Sequence, residues 1–362
     1  MSDRRKESRA GDSVRAWTRR DLLGAGSLAA AVVFFGAIDG LFAQTQSPRC
    51  IDVHAHLWTD EYLDLAESYG KSDTGTQRGR GAGTGQKEIE KRFATMEAAG
   101  VDLQVLSVSP QFPHFENQQH AINGARKAND MLADAVRKWP RRFGAFAAVP
   151  LPHVDAALTE IDRALGQLGM LGVALGTDVL GRSLADPAFA PVYQELNRRA
   201  SVIFIHPSGN AAFSHLISEN HATWMIGAPV EDAVAVTNII AAGIPSRFPQ
   251  LKIITAHLGG ALPLVLDRMD SVSTWEYPEI PEKPSVAAKR MWYDTVDYGS
   301  VPALRAAVDT LGADRLVLGS DFPYEAGSAY QLCVDYIRKS GLQENQVFQI
   351  LVRNASAMLR LA

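Results

Sequence analysis

The chain has 362 residues, 46% of them hydrophobic, and a formal net charge of −4. That is enough apolar material for a packed core in one large domain or two small ones. No basic excess is present to displace phosphate counterions, which excludes a polyanion binder and argues against a nucleic-acid partner. The two cysteines, Cys50 and Cys333, build no disulfide framework.

Residues 1–43 read as a targeting segment. Thr18-Arg19-Arg20-Asp21-Leu22-Leu23 is a twin-arginine pattern, and 22–38 is a mildly apolar stretch of small residues closed by Asp39. The expectation is a twin-arginine signal peptide over 1–43, cut after Ala43. The partner would be the twin-arginine export machinery, and residues 44–362 would act in the periplasm. The apolar stretch is marginal in length for a bilayer, so an inner-membrane anchor is the alternative. Removing 1–43 takes away seven basic and five acidic side chains and leaves the remainder more acidic.

From residue 50 onward, strand and helix patterns alternate. Cys50-Ile51-Asp52-Val53-His54-Ala55-His56 is an apolar run whose period-2 alternation points both imidazoles to one side, where a single metal ion takes both. The segment 70–86 carries Gly, Thr, Ser and Arg and no large apolar residue, the mark of a mobile loop. It is either a surface insertion or a lid that brings Arg78 or Arg80 toward an anionic substrate. A helical pattern over 87–99, a strand at 102–108, a helix at 119–138, a strand at 143–149, a helix at 154–168, a strand at 171–176 and a helix at 187–199 follow. The strand 201–206 ends on His206. The connection 207–227 contains His215, His221 and Trp224, and it is expected to shape the pocket, with Trp224 against the substrate. A helix at 229–242 leads to the strand 251–257, which delivers His257. Then come a strand at 291–296, a helix at 301–311, a strand at 314–320 followed by Asp321, and helices at 327–339 and 344–361.

Eight strands alternating with helices call for a parallel sheet and match a (β/α)8 TIM barrel. A doubly wound sheet would need a glycine-rich phosphate turn after the first strand, where His-Ala-His stands instead. One histidine after an apolar run is usually a hydrogen-bonded structural residue. Three such runs, one of them with the paired His54 and His56, point to a metal site made by His54, His56, His206 and Asp321.

The strings Asp52-Val53-His54-Ala55-His56, Phe204-Ile205-His206-Pro207, Thr255-Ala256-His257-Leu258-Gly259-Gly260 and Gly319-Ser320-Asp321-Phe322-Pro323-Tyr324 resemble those of the amidohydrolase-related enzymes. Within these, the chain looks most like the branch containing aminocarboxymuconate semialdehyde decarboxylase. The linking segments Pro140-Arg141-Arg142-Phe143-Gly144, Val149-Pro150-Leu151-Pro152 and Ser246-Arg247-Phe248-Pro249-Gln250-Leu251 are similar to those of 6-methylsalicylate-decarboxylase-like members. The resemblance covers residues 50–361. It implies a metal-dependent-hydrolase type of barrel in which His54, His56, His206 and Asp321 hold the metal. His257 would stand beside the metal as the acid–base group, with Asp321 also able to move a proton. Arg268 falls where the semialdehyde decarboxylase has an arginine that reaches a substrate carboxylate across a dimer interface, although 266–270 reads equally as a helix surface. A homodimer or higher homo-oligomer is therefore expected.

Many amidohydrolases hold two metals through a carboxylated lysine on strand four, but Leu171-Gly172-Val173-Ala174-Leu175-Gly176 has no lysine, so one divalent ion per chain is expected. Three imidazoles and a carboxylate suit zinc, and manganese also fits. The expected reaction is decarboxylation of a small unsaturated or aromatic hydroxy-carboxylic acid. Hydrolysis of a lactone or amide is the second reading, and an exported metal- or ligand-binding protein is the third.

The arginine pair gives a direct test of the export reading. Changing Arg19 and Arg20 together to Lys keeps the charge but removes the pair, and cell fractionation should then find the protein retained in the cytoplasm. Continued export of that variant would refute the twin-arginine assignment.

Overall fold

All eight predicted strands are present, in the predicted order. The computed structural model describes residues 50–361 apart from Asp73, so the expected signal segment 1–43 lies outside the described residues. The strands are β1 (Ile51–His56), β2 (Leu103–Ser107), β3 (Phe143–Ala147), β4 (Gly172–Gly176), β5 (Val202–His206), β6 (Lys252–Thr255), β7 (Trp292–Asp294) and β8 (Leu316–Val317). Each pairs in parallel with the next. A short antiparallel hairpin, Asp178–Val179 with Arg182–Ser183, sits between β4 and β5.

Beyond β8 the chain runs on alongside β1 and closes the barrel. Val53 N donates to Leu318 O at 2.8 Å, Asp321 N to His54 O at 2.9 Å and His56 N to Phe322 O at 2.8 Å. Backbone groups that would be orphaned at two sheet edges are thereby paired. The strands are short and nearly all buried, as in a parallel sheet covered by helices.

A register shift between Asp52 and Ala55 breaks the simple alternation of β1. Ile51 and Val53 pack in the inner cluster with Val105, Phe146, Phe204 and Val317, whereas Ala55 belongs to the outer layer. One irregular residue therefore lets β1 contribute both to the barrel filling and to the site above it. Gly172 on β4 has a close-packing reason: a Cβ there would lie 2.4 Å from Val202 O on β5.

Asp52 staples the closure. Its Oδ2 accepts from Gln104 Nε2 (2.9 Å), Ser320 Oγ (2.6 Å) and Tyr330 Oη (3.1 Å), and its Oδ1 accepts from the backbone N–H of His54 and Ser320. Gln104 passes the network on to the buried Arg92, whose Nη1 donates to His56 O at 2.9 Å. The fully buried carboxylate thus ties β1 to β2 and to the segment after β8.

The helical layer follows the predicted pattern with three differences. The helices Asp60–Ser68 and Pro284–Ala288 were not expected, and the helix surface read at 266–270 belongs to a longer helix, Leu262–Glu276; Asp60–Ser68 is rich in acids and starts on a Thr59 cap rather than on a strong apolar stripe. The expected terminal helix 344–361 is interrupted by a π-turn at Gln349–Arg353, which lets Ile350 O accept from Leu318 N and lets Asn354 Nδ2 reach Ala313 O and Leu316 O. The segment 70–86 holds more structure than its composition suggests. It contains a 3-10 turn at Thr74–Thr76, and Thr74, Gln77 and Ala82 are buried. Polar partners hold it down where apolar ones are missing: Gln77 Nε2 donates to Tyr324 Oη at 2.6 Å, and Gln111 Nε2 donates to Gln77 Oε1 at 2.9 Å.

Asp52→Asn keeps the side-chain shape but turns an amide N–H₂ toward buried donors. A calorimetric or optical melt should show a midpoint lower by roughly 5 °C or more, since each unsatisfied buried donor costs about 1–3 kcal/mol.

Candidate metal centre and active site

The closure sets His54 and His56, at the end of β1, against Asp321 just beyond β8. Asp321 Oδ1 lies 2.8 Å from His56 Nε2, 3.1 Å from His54 Nε2 and 4.0 Å from His206 Nε2 at the end of β5. One donor atom from each of these four buried side chains falls within 4.8 Å of the others. Asp321 adopts a left-handed φ of 58°, and His257, two residues past β6, one of 52°. Such backbone is uncommon for residues with a Cβ and collects at functional sites.

The remaining imidazole nitrogens fix the orientations. His54 Nδ1 pairs with Asp294 Oδ2 at 2.7 Å, His56 Nδ1 with Ser109 Oγ at 3.0 Å, and His206 Nδ1 donates to Pro207 O at 2.9 Å. With the outer nitrogens engaged, the three Nε2 atoms face one another, as in histidines held for metal binding. Gly319 makes room for this: a Cβ there would lie 2.8 Å from Asp294 Cβ and 3.0 Å from His54 Cβ. His54 Nε2 is buried and makes no hydrogen bond, although it stands 3.1 Å from Asp321 Oδ1. An orphaned ring nitrogen facing two imidazoles and a carboxylate fits a divalent cation, and the His₃Asp donor set fits one ion. Strand β4 is without lysine, consistent with a single ion.

Burial lowers the proton affinity of His56 to about 3 and of His206 to about 4, which leaves both neutral with lone pairs available. Burial acts the same way on His54, but Asp294 and Asp321 outweigh it and raise that imidazole to about 9. Asp321 is held well below the carboxylate range against its burial, chiefly by the charge of His54 and by the nearby imidazoles of His206 and His257.

His257 lies next to this group. Its Nδ1 pairs with Asp232 Oδ2 at 2.8 Å, its backbone N–H donates to Asp294 Oδ1 at 2.9 Å, and its Nε2 stands 3.9 Å from Asp321 Oδ2. Burial opposes its charge, but Asp232 and then Asp321 raise its proton affinity well above the ordinary imidazole value. His257, His206 and Asp321 open on a cavity of about 300 Å³ that Trp224, Arg80 and Tyr324 also line. The connection after β5 is secured by Glu231, whose Oε2 accepts from Ser208 N, Gly209 N and Thr177 Oγ1 at 2.8–3.1 Å.

Trp224 is on the cavity wall. Of the two loop arginines, Arg80 reaches the cavity, with its guanidinium 4.8 Å from the Tyr324 ring centre, while Arg78 is drawn outward to Asp60, Asp64 and Glu67. Arg268 is exposed on the helix Leu262–Glu276, which packs inward through Leu262 and Leu266, and it does not line the cavity of its own chain. His215 and His221 are exposed and stand outside the ligand group. Asp232 and Asp294 were missed by sequence reasoning. Asp294 ends an apolar strand as the ligands do, and Asp232 interrupts the apolar pattern of the helix Ala228–Ala241, so each carried a faint signal.

The amidohydrolase family model matches residues 51–361. The chain belongs to this family. It is 26% identical over 298 residues to the 2-amino-3-carboxymuconate-6-semialdehyde decarboxylase of Dictyostelium discoideum, covering 76% of this chain and 82% of that one. The crystal structure of a 2,6-dihydroxybenzoate decarboxylase complexed with 2,6-dihydroxybenzoate superposes with a TM-score of 0.76 at 25% identity, over 87% of this chain and all of that one. A dihydroxybenzoic acid decarboxylase from Polaromonas, solved with bound manganese and the inhibitor 2-nitroresorcinol, shares the fold with a TM-score of 0.75 at 23% identity, over 87% and 98% of the two chains.

Elemental analysis of the purified protein should give about one equivalent of divalent metal per chain. His206→Ala should remove that metal, and a variant that keeps a full equivalent would place His206 outside the ligand set.

Proposed function

We propose that the protein is a metal-dependent carboxy-lyase that decarboxylates a small aromatic or unsaturated hydroxy-carboxylic acid. The observation that carries this reading is the buried cluster of His54, His56, His206 and Asp321 with His257 poised beside it, opening through His206, His257 and Asp321 on an aromatic-walled cavity. Similarity to decarboxylases over most of the chain supports the same class. Zinc is the proposed ion, on the nitrogen-rich donor set; manganese, present in the Polaromonas structure, is the other outcome of the metal analysis.

An ion held by His54, His56, His206 and Asp321 would supply Lewis acidity toward the oxygen atoms of the substrate. The chain supplies the proton. His257 Nε2 delivers it to the carbon that bears the carboxylate, and a C–H bond forms with ring electrons. The C–C bond to the carboxylate then breaks, its electron pair returns to the ring, and carbon dioxide leaves. Asp232 holds Nδ1 so that Nε2 keeps facing the reacting carbon, and its negative charge favours the protonated imidazole beforehand. Trp224 and Tyr324 flank the ring, and Arg80 holds a further anionic group.

The partner assignment follows the same line. In a homodimer, Arg268 of one chain would reach the substrate carboxylate of the other. Leu264 and Trp275, on the helix that carries Arg268, are 79% and 72% exposed, which supports a covered face there. Export through the twin-arginine route, with the enzyme in the periplasm after loss of 1–43, is proposed on the Arg19-Arg20 pattern.

The metal-loaded protein should release carbon dioxide and an equimolar phenol from at least one member of a hydroxybenzoate panel. Acid release from lactones without carbon dioxide would replace this reading with a hydrolase, and silence on both would favour a binding protein. His257→Asn should retain the metal while turnover falls ~100-fold or more.

A further inference from the structure

Asp297 stands on the wall of the cavity, on the connection that leaves β7, and faces the charge of His257. A tight turn sets it there, because Tyr298 and Gly299 both have positive φ, 49° and 84°. Tyr298 is thrown onto the cavity rim, 65% exposed, and Asp297 is left half-buried. Left-handed backbone at a tyrosine is uncommon and is found where the surrounding structure requires it.

The fold makes little use of this carboxylate. Ser300 hydrogen bonds to it, and its Oδ2 is buried with no partner at all. The neighbouring acids are more fully engaged: Asp294 accepts from His54, His257 N and Val296 N, Asp232 pairs with His257, and Glu231 takes three donors, although Asp232 Oδ1 and Glu231 Oε1 are also buried without a partner. Partial burial pushes the Asp297 carboxyl above its ordinary range, opposed by Ser300 and by the charge of His257. A half-buried carboxylate on a cavity wall, bonded by the fold only through Ser300, keeps acceptor capacity for a donor brought by a ligand.

We propose that Asp297 accepts a hydrogen bond from a donor group on the substrate ring, a phenolic hydroxyl or an amino group, so that the site selects acids carrying this second donor. This rests on the reading of the cavity as the substrate site of a decarboxylase. Arg80 then engages an anionic group and Asp297 a donor, and a ring bearing both kinds of substituent is held in one orientation. An alkylated oxygen at the donor position gives Asp297 nothing to accept and leaves the carboxylate dehydrated against a methyl group.

The test uses the metal-loaded protein, zinc and manganese forms in parallel, with the 2,3-, 2,4-, 2,5- and 2,6-dihydroxybenzoates, each paired with the monomethyl ether that keeps the 2-hydroxyl. Binding is measured by calorimetry and carbon dioxide release is followed separately. In the unmodified protein at least one pair should favour the free hydroxyl by roughly tenfold or more, the scale of a hydrogen bond to a charged acceptor. Asp297→Ala and the isosteric Asp297→Asn should cut that ratio to about threefold or less while metal content stays the same. Equal ratios before and after substitution, or no binding of any isomer, would overturn the proposal. A loss of turnover equal for both members of a pair would likewise overturn it, because it would mean that Asp297 serves only the charge of His257. Carbon dioxide release without any dependence on Asp297 leaves the decarboxylase reading standing and this one refuted. An Asp297-dependent preference in binding without release does the reverse.

Discussion

The barrel closure is the constraint on which everything else rests. Backbone hydrogen bonds join β1 to the segment after β8, and they bring His56 within 2.8 Å of Asp321 although the two are 265 positions apart in the chain. The Asp52 carboxylate fixes that seam by taking donors from β1, β2 and the β8 segment at once. A buried anion with five donors is expensive to desolvate, but removing it would strand the donors. The same seam therefore holds the sheet together and sets the distance between the first and last ligands.

Above the seam, acids organise the imidazoles. Asp294 accepts from His54 Nδ1 with one oxygen and from the backbone N–H of His257 with the other, so the four-residue cluster and His257 are set by one carboxylate. Asp232 then orients the His257 ring. Burial keeps His56 and His206 neutral, the state in which an imidazole binds a cation, while the acids keep His257 protonated. Neutral and protonated imidazoles thus occupy one small volume, an arrangement that suits the proposed metal-assisted proton transfer to carbon.

The strand ends supply this machinery, and the connections supply the cavity wall. Arg80 comes from the segment after β1, Trp224 from the one after β5, Asp297 and Tyr298 from the one after β7, and Tyr324 from the one after β8. Loops at the carboxyl end of a barrel vary with little effect on its core, so chemistry set by the strands is combined with selectivity set by the loops.

The sequence by itself determined the eight strands, their order and the four ligand-type residues, because buried strands are apolar runs and a polar group at the end of such a run stands out. It also marked Trp224 and the arginines of the segment after β1 as pocket candidates. It did not separate Arg80 from Arg78, since that choice depends on three acids of a neighbouring helix that draw Arg78 away. It missed Asp232, which looks like an ordinary helix acid until the fold sets it 2.8 Å from His257. It also left Arg268 undecided, and the structure turns that residue outward from its own cavity. Periodicity records which face of an element is buried, a local property of the chain. Which polar groups meet is fixed only when distant elements pack, and only the tertiary structure decided that.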